Sequence, residues 1–294
     1  MMELNTFSIA ARCPRTGQLG VAVASAVPAV GAMCPYLRAG VGAVSTQSWV
    51  NPYLALHLLD RIGRGERVEA ALSAVLAADD RADLRQVGLV DAKGAAAAWT
   101  GSGCTEDAGH RRGPGYSVQG NMLASQAVID AMAEAFEGSA ALDLDERLMQ
   151  VLEAGDRAGG DRRGKQSAAL KIVDREEYPS LDLRVDEHAA PISELRRILT
   201  IARRQLVPFV AGMPRKDGPA GALPDDVSAM LLRPPGERPG ADSAPSSDDR
   251  TISPQDQFAP VLAEIRKLRE LDLTEVHPPI IFDPSLPYRP VPHD

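Results

Sequence analysis

The sequence predicts an α+β fold: a four-layer αββα sandwich followed by a C-terminal helical and disordered extension. Three observations carry this. Strand-like runs come in adjacent pairs joined by tight turns, so the sheets contain antiparallel neighbours and are not the purely parallel kind. Helix-like periodicity comes in pairs between those runs, which suits two stacked sheets with helices outside. Beyond about residue 188 the composition shifts to arginine-rich helix and then to Pro, Gly, Ser and Asp.

Thr6 to Arg12 reads as a strand, Pro14-Arg15-Thr16-Gly17 as turn chemistry, and Leu19 to Ser25 as the returning strand. Val41 to Trp49 is a further strand, ended by Asn51-Pro52, which can start a helix. Tyr53 to Ile62 places Leu54, Leu58, Leu59 and Ile62 near one helical face, and Val68 to Ala78 repeats the pattern. Gln86 to Asp91 and Ala95 to Thr100 form a second hairpin around Ala92-Lys93-Gly94. Gly101 to Gly115 reads as a loop and Tyr116 to Asn121 as a short strand. Ala127 to Phe136 and Leu144 to Ala154 are helices, and Ala168 to Asp174 and Leu181 to Val185 close the sheets. The organisation expected is a domain over 1–188, a helical extension over 189–213, a Pro/Gly/Ser linker over 214–256, and a helix with an extended interaction arm over 257–294.

A chain of 294 residues with 44% hydrophobic content can bury a sizeable core, and 4% aromatics make that core small and aliphatic. The net charge of −8 argues against nucleic acid and against an anionic membrane surface. Three cysteines without a CxxC pair give neither a disulfide framework nor a zinc ribbon, and the five histidines show no ligand spacing, so no metal is expected. With neither a phosphate loop nor a strand-linked GxGxxG, no nucleotide cofactor is expected. No signal-peptide pattern or membrane span is read, so the expected location is the cytoplasm.

Three Gly-rich polar stretches, Val44–Pro52, Gly113–Met122 and Gly159–Leu170, share one style and suggest the walls of one site. Thr6 is a candidate nucleophile if it becomes the chain terminus, since its own amine could then serve as base; otherwise it is an ordinary strand residue. Cys104, six residues before His110, could form a nucleophile pair with it, or be a small buried apolar group. Ser45, Thr46, Gln47 and Ser48 could orient a substrate or close a turn. Asn121 could steady an oxyanion or cap a helix. Asp161 with Arg162 and Arg163 could clamp a carboxylate or form an exposed ion pair.

The runs TFSIAAR, GQLGVAVAS, AGVGAVSTQSWVNP, WTG, AGHR, VQGNML and GGDRRGKQSAA, in order from Thr6 to His188, resemble the DUF1028 family. That resemblance implies an Ntn-hydrolase-like αββα sandwich and, by kinship, an amidohydrolase class acting on C–N bonds of a small amide- or ureido-containing metabolite. Carried over by position, Thr6, Asn121 and Asp161 would be catalytic. Ser25, Thr46, Gln47, Asn51, Gln119, Arg162 and Gln166 would bind substrate in the cleft between the sheets. The chain departs from the pattern at two places. Met1 to Asn5 precede Thr6, and Ala26 stands where many members carry lysine. A homodimer is expected. The 257–294 arm is similar to belt subunits that wrap amidases, which implies an amidase partner. The alternative function is a non-catalytic binding or scaffold protein that docks such a partner through the arm.

Overall fold

The computed structural model describes residues 6–218, 221 and 225–231. The chain divides into two units, Met1–Arg233 and Pro234–Asp294. The whole second unit, and with it the expected 257–294 arm, lies outside the described residues. The strands are β1 Thr6–Arg12, β2 Leu19–Ser25, β3 Pro35–Arg38, β4 Gly42–Ser48, β5 Arg85–Asp91, β6 Ala96–Thr100, β7 Gly109–Gly113, β8 Tyr116–Asn121, β9 Ser167–Val173 and β10 Leu181–Val185. The helices are α1 Val30–Met33, α2 Pro52–Gly63, α3 Val68–Ala77, α4 Ala127–Gly138, α5 Leu144–Arg157, α6 Pro191–Ala211 and α7 Asp225–Leu231.

The strands form two antiparallel sheets, one of six strands in the order β10-β9-β2-β1-β8-β7 and one of four in the order β3-β4-β5-β6. Alternation along β1 explains its place. Phe7, Ile9 and Ala11 join Met132 and Phe136 of α4, Leu148 of α5 and Leu195 of α6 in the largest apolar cluster. The intervening Ala10 meets Ala43 of β4 and Val90 of β5 in a smaller one. Leu54 and Leu58 of α2 and Leu72 of α3 cover the four-stranded sheet at Val44, Val87 and Leu89. Each such Leu, fully withdrawn from water, contributes about 2 kcal/mol.

Local chemistry sets the element ends. Asn51 Oδ1 accepts from Tyr53 N at 3.1 Å as the N-cap of α2, with Pro52 at the first helical position. In the β5–β6 turn, Asp91 Oδ1 accepts from the backbone nitrogens of Lys93 (2.9 Å) and Ala95 (2.8 Å). α6 is stapled to α5 by Arg196, which reaches Glu146 at 2.7 Å and Glu153 at 2.8 Å. Arg203 adds Asp145 at 2.7 Å and Glu146 at 2.9 Å. These arginines hold the Glu146 carboxyl down to about 2.

The structure departs from the sequence reading at several places, the first being the four-residue α1, which was not read. Residues Gly109–Gly113, read as loop, form β7. It is an edge strand whose arginines suppress any apolar alternation. The four-residue β3 was not read, because a strand that short opening on proline carries little pattern. The helix that the sequence marks from Ile192 to Leu206 continues as α6 through Pro208 to Ala211. Within the stretch read as linker, α7 forms and Val227 is buried. No helix among the described residues is long and apolar enough to cross a membrane.

Candidate functional site

Register brings four polar residues into one row across neighbouring strands. Thr6 of β1 pairs with Ser25 of β2 and with Asn121 of β8, and Ser25 pairs in turn with Ser167 of β9. All four are buried, and Thr6 Oγ1 donates to Ser25 Oγ at 3.3 Å. Facing them from the four-stranded sheet are Gln47 of β4 and Gln86 of β5, both with no exposed surface. Gln47 Nε2 donates to the Thr6 carbonyl at 3.1 Å.

The directions of the amide-centred hydrogen bonds of this interior can be deduced. A backbone carbonyl only accepts, so the Gln86 atom facing Gly109 O (3.1 Å) and Gly120 O (2.8 Å) is its nitrogen. Its oxygen must therefore accept, and does so from Gln47 Nε2 (2.8 Å) and Asn121 Nδ2 (2.9 Å). Gln47 Oε1 is then left to accept from Ser8 Oγ (2.6 Å) and Ser45 Oγ (3.4 Å). Ser8, having donated, accepts from Gln119 Nε2 at 2.6 Å, and Gln119 Oε1 accepts from Ser117 Oγ at 2.8 Å. In the outward direction Gln86 Nε2, whose two protons face the two carbonyls, has Thr100 Oγ1 at 3.0 Å as a third, shared acceptor. Thr100 Oγ1 and His110 Nδ1 are hydrogen-bonded at 2.9 Å, with the direction set by the tautomer of the ring. Loss of solvent around the imidazole, with Arg112 beside it, pushes its pKa down.

Gly88 of β5 makes this packing geometrically feasible. A Cβ there would stand 1.7 Å from Gln119 Oε1 and 2.7 Å from Ser117 Oγ. Gln119 therefore lies in the space a side chain would occupy.

The Gly159–Leu170 stretch latches the strand ends around the row. Gly159 (φ 112°) and Gly160 (φ 55°) take the left-handed backbone that turns the chain after α5. Arg162 N then donates to Met122 O at 3.1 Å and Gln166 N to Ser25 O at 2.8 Å. The buried Asp161 accepts from Ala26 N (3.1 Å) and Arg163 N (2.9 Å), with Arg163 Nη2 at 3.4 Å. Ser48 (φ 64°) and Met122 (φ 50°), at the ends of β4 and β8, hold the same uncommon conformation beside the row.

The structure thus gathers Thr6, Ser25, Gln47, Gln119 and Asn121, with Asp161 and Gln166 in the latch. It places the others apart. Arg162 is exposed and points to Asp107 at 3.5 Å, away from Asp161. Thr46 Oγ1 donates to Asn51 O at 3.4 Å, and Asn51 Nδ2 donates to Asp79 Oδ2 at 2.9 Å. There Asp79 forms a buried ion pair with Arg85 at 2.8 Å, which brings its carboxyl down to about 2. Cys104 Sγ donates to Arg85 O at 3.4 Å, while His110 is engaged by Thr100. Gln86, the hub, was missed along with Ser8 and Ser117, whereas Ser45 belongs to the polar strand end that the sequence singled out. A glutamine opening an apolar run is the one signal that could have found Gln86.

Two cavities stand out, of about 480 Å³ and about 800 Å³, and neither is lined by Thr6, Ser25 or Asn121. Among the described residues no group of three or more His, Cys, Asp or Glu is placed to hold a metal ion.

A family model described as DUF1028, a family of unknown function, matches residues 6–195. The chain belongs to this family. The DUF1028 match spans the whole row, its latch and the start of α6. Among solved structures, the DUF1028 protein SPO2555 from Silicibacter pomeroyi is 29% identical with a TM-score of 0.69, covering 75% of this chain and 96% of that one. Anbu (ancestral beta-subunit) from Yersinia bercovieri is 13% identical with a TM-score of 0.33, covering 71% and 98%. Anbu from Hyphomicrobium sp. strain MC1 is 10% identical with a TM-score of 0.34, covering 72% and 100%. Both Anbu likenesses are too loose to bear on this chain. No curated protein matches it.

Proposed function

We propose that this DUF1028 protein is an amidohydrolase, cleaving a C–N bond of a small amide- or ureido-containing metabolite with Thr6 as nucleophile. The observation that carries the reading is the buried row Asn121–Thr6–Ser25, in which the Thr6 hydroxyl has a hydroxyl partner at 3.3 Å on one side. A side-chain amide stands in register on the other side. The facing sheets, joined by Ser8–Gln47 and Gln47–Thr6 bonds, are read as the inner layers of a four-layer αββα sandwich.

Thr6 nitrogen is an amide while residues 1–5 precede it, and an amide is no base. Once they are removed, the free amine takes the Oγ1 proton and the oxygen attacks the substrate carbonyl carbon. One Asn121 N–H is committed to Gln86; the other steadies the oxyanion. The C–N bond breaks as the amine leaving group takes the proton back, and water then hydrolyses the threonyl ester. Asp161 holds the turn that shapes this end of the sheet.

A second reading, a non-catalytic binding protein, is favoured by the closure of the interior. Thr6, Ser25 and Gln47 have no exposed surface, and neither cavity is lined by any of them. In that reading the 257–294 arm would dock an amidase partner. Intact mass and N-terminal sequencing of the full-length product separate the two. A chain beginning at Thr6, with activity on an amide panel that Thr6→Ala abolishes, supports hydrolysis. A chain retaining residues ahead of Thr6, inert on the panel, overturns it.

A further inference from the structure

The cavity of about 480 Å³ lies where α3 meets the adjacent edges of β6 and β7, well suited in size to a one- or two-ring ligand. Its floor is apolar, formed by Leu72 and Leu76 of α3 and by Ala97 of β6. Its polar groups have an uneven sign. The Trp99 indole is 38% exposed, and its Nε1 already donates to Ala82 O at 2.8 Å, which leaves the ring to offer its surface. Arg112 gives one donor to Ala96 O at 3.2 Å and makes no ion pair among the described residues. His110 lines the same side of the cleft, its Nδ1 engaged by Thr100 at 2.9 Å. Glu69 is the one acid of the lining, and Arg67 stands 3.8 Å from it.

An aromatic face and a guanidinium with unused donors around an apolar floor are complementary to a flat ring bearing a negative charge. We propose that this cleft binds a small planar aromatic carboxylate, its ring against Trp99 and its carboxylate on Arg112. Guanidinium–carboxylate bonds are charge-assisted and, in a partly desolvated cleft, stronger than those to a neutral amide. The site is independent of the Thr6 reading and stands whether or not that reading holds.

The test uses 2-naphthoate against its neutral isostere 2-naphthamide, titrated into the full chain and followed by the Trp99 indole N–H resonance. The protein has two tryptophans, so a Trp99→Phe variant assigns the signal. We expect saturable shifts with 2-naphthoate and binding of 2-naphthamide about tenfold weaker or worse. Arg112→Gln, at an exposed position, should weaken 2-naphthoate about tenfold and leave 2-naphthamide unchanged. Thr6→Ala should change neither. Equal binding of acid and amide, an unaffected Arg112→Gln variant, or no saturable shift with 2-naphthoate at millimolar concentration would each overturn the proposal.

Discussion

The same strands line two interior regions of opposite character. Toward one end, Ala10, Leu19, Val21, Ala43, Val90 and Val173 form a dry aliphatic cluster. Toward the other, Thr6, Ser8, Ser25, Ser45, Gln47, Gln86, Ser117 and Gln119 are just as buried and almost wholly polar. Burial of aliphatic groups stabilises by default, whereas burial of amides and hydroxyls costs free energy unless every donor and acceptor is met. The aliphatic end therefore supplies stability, and the polar end is tolerated only because its bonds close on one another. A fold seeking stability alone would have filled both ends alike.

The sharpest way to break this contrast is at the hub. Gln86→Leu leaves Gln47, Asn121 and two backbone carbonyls without their partner, and should cost about 4 kcal/mol in urea unfolding. Leu19→Ala, at the aliphatic end, should cost about 3 kcal/mol through a cavity. If the two ends are energetically distinct, its loss is recovered by Leu19→Met, whereas Gln86→Met recovers nothing.

A third handle is pH. The Asp79 carboxyl, held by Arg85 and Asn51, is down to about 2 from an ordinary 3.8. Its stabilising effect is full above pH 4 and lost as pH falls through about 2, amounting to about 2 kcal/mol. Asp79→Asn should remove that part of the acid sensitivity, read from unfolding at pH 5 and pH 2. It lies outside both interior regions, so it should leave their contrast intact. Smaller effects come from the packing around Gln119. Gly88→Ala should cost about 2 kcal/mol by displacing that side chain, and Ser117→Ala about 1 kcal/mol by removing a single bond. A Gly88→Ala variant as stable as the parent would mean that the polar end repacks freely.

Much of this was legible in the sequence, for reasons that differ by residue. The β1–β2 hairpin showed itself because Phe7, Ile9 and Val21 alternate with small residues around a Pro-Gly turn, and Asn51-Pro52 announced a capped helix. Thr6, Ser25, Gln47 and Asn121 were singled out from their motifs. Their meeting across the sheets depends on register and sheet facing, which no local pattern encodes. Gln86 was passed over for the same reason: within QVGLVD it reads as one polar end of a strand, and its role exists only where β5 lies against β8. Arg162 misled in the opposite direction. Adjacent in sequence to Asp161, it reaches Asp107 instead, and Arg163 takes the nearer place.

The orientation of Gln86 has a reach beyond packing. No amide or hydroxyl of the polar interior titrates until the chain of bonds arrives at His110, where a single threonine hydroxyl is the last rotor. A change of charge on that imidazole is met by rotation of the Thr100 hydroxyl, while Gln86, clamped by two carbonyls, keeps its orientation. One hinge of hydrogen thus separates the buried amides from the nearest titrating ring.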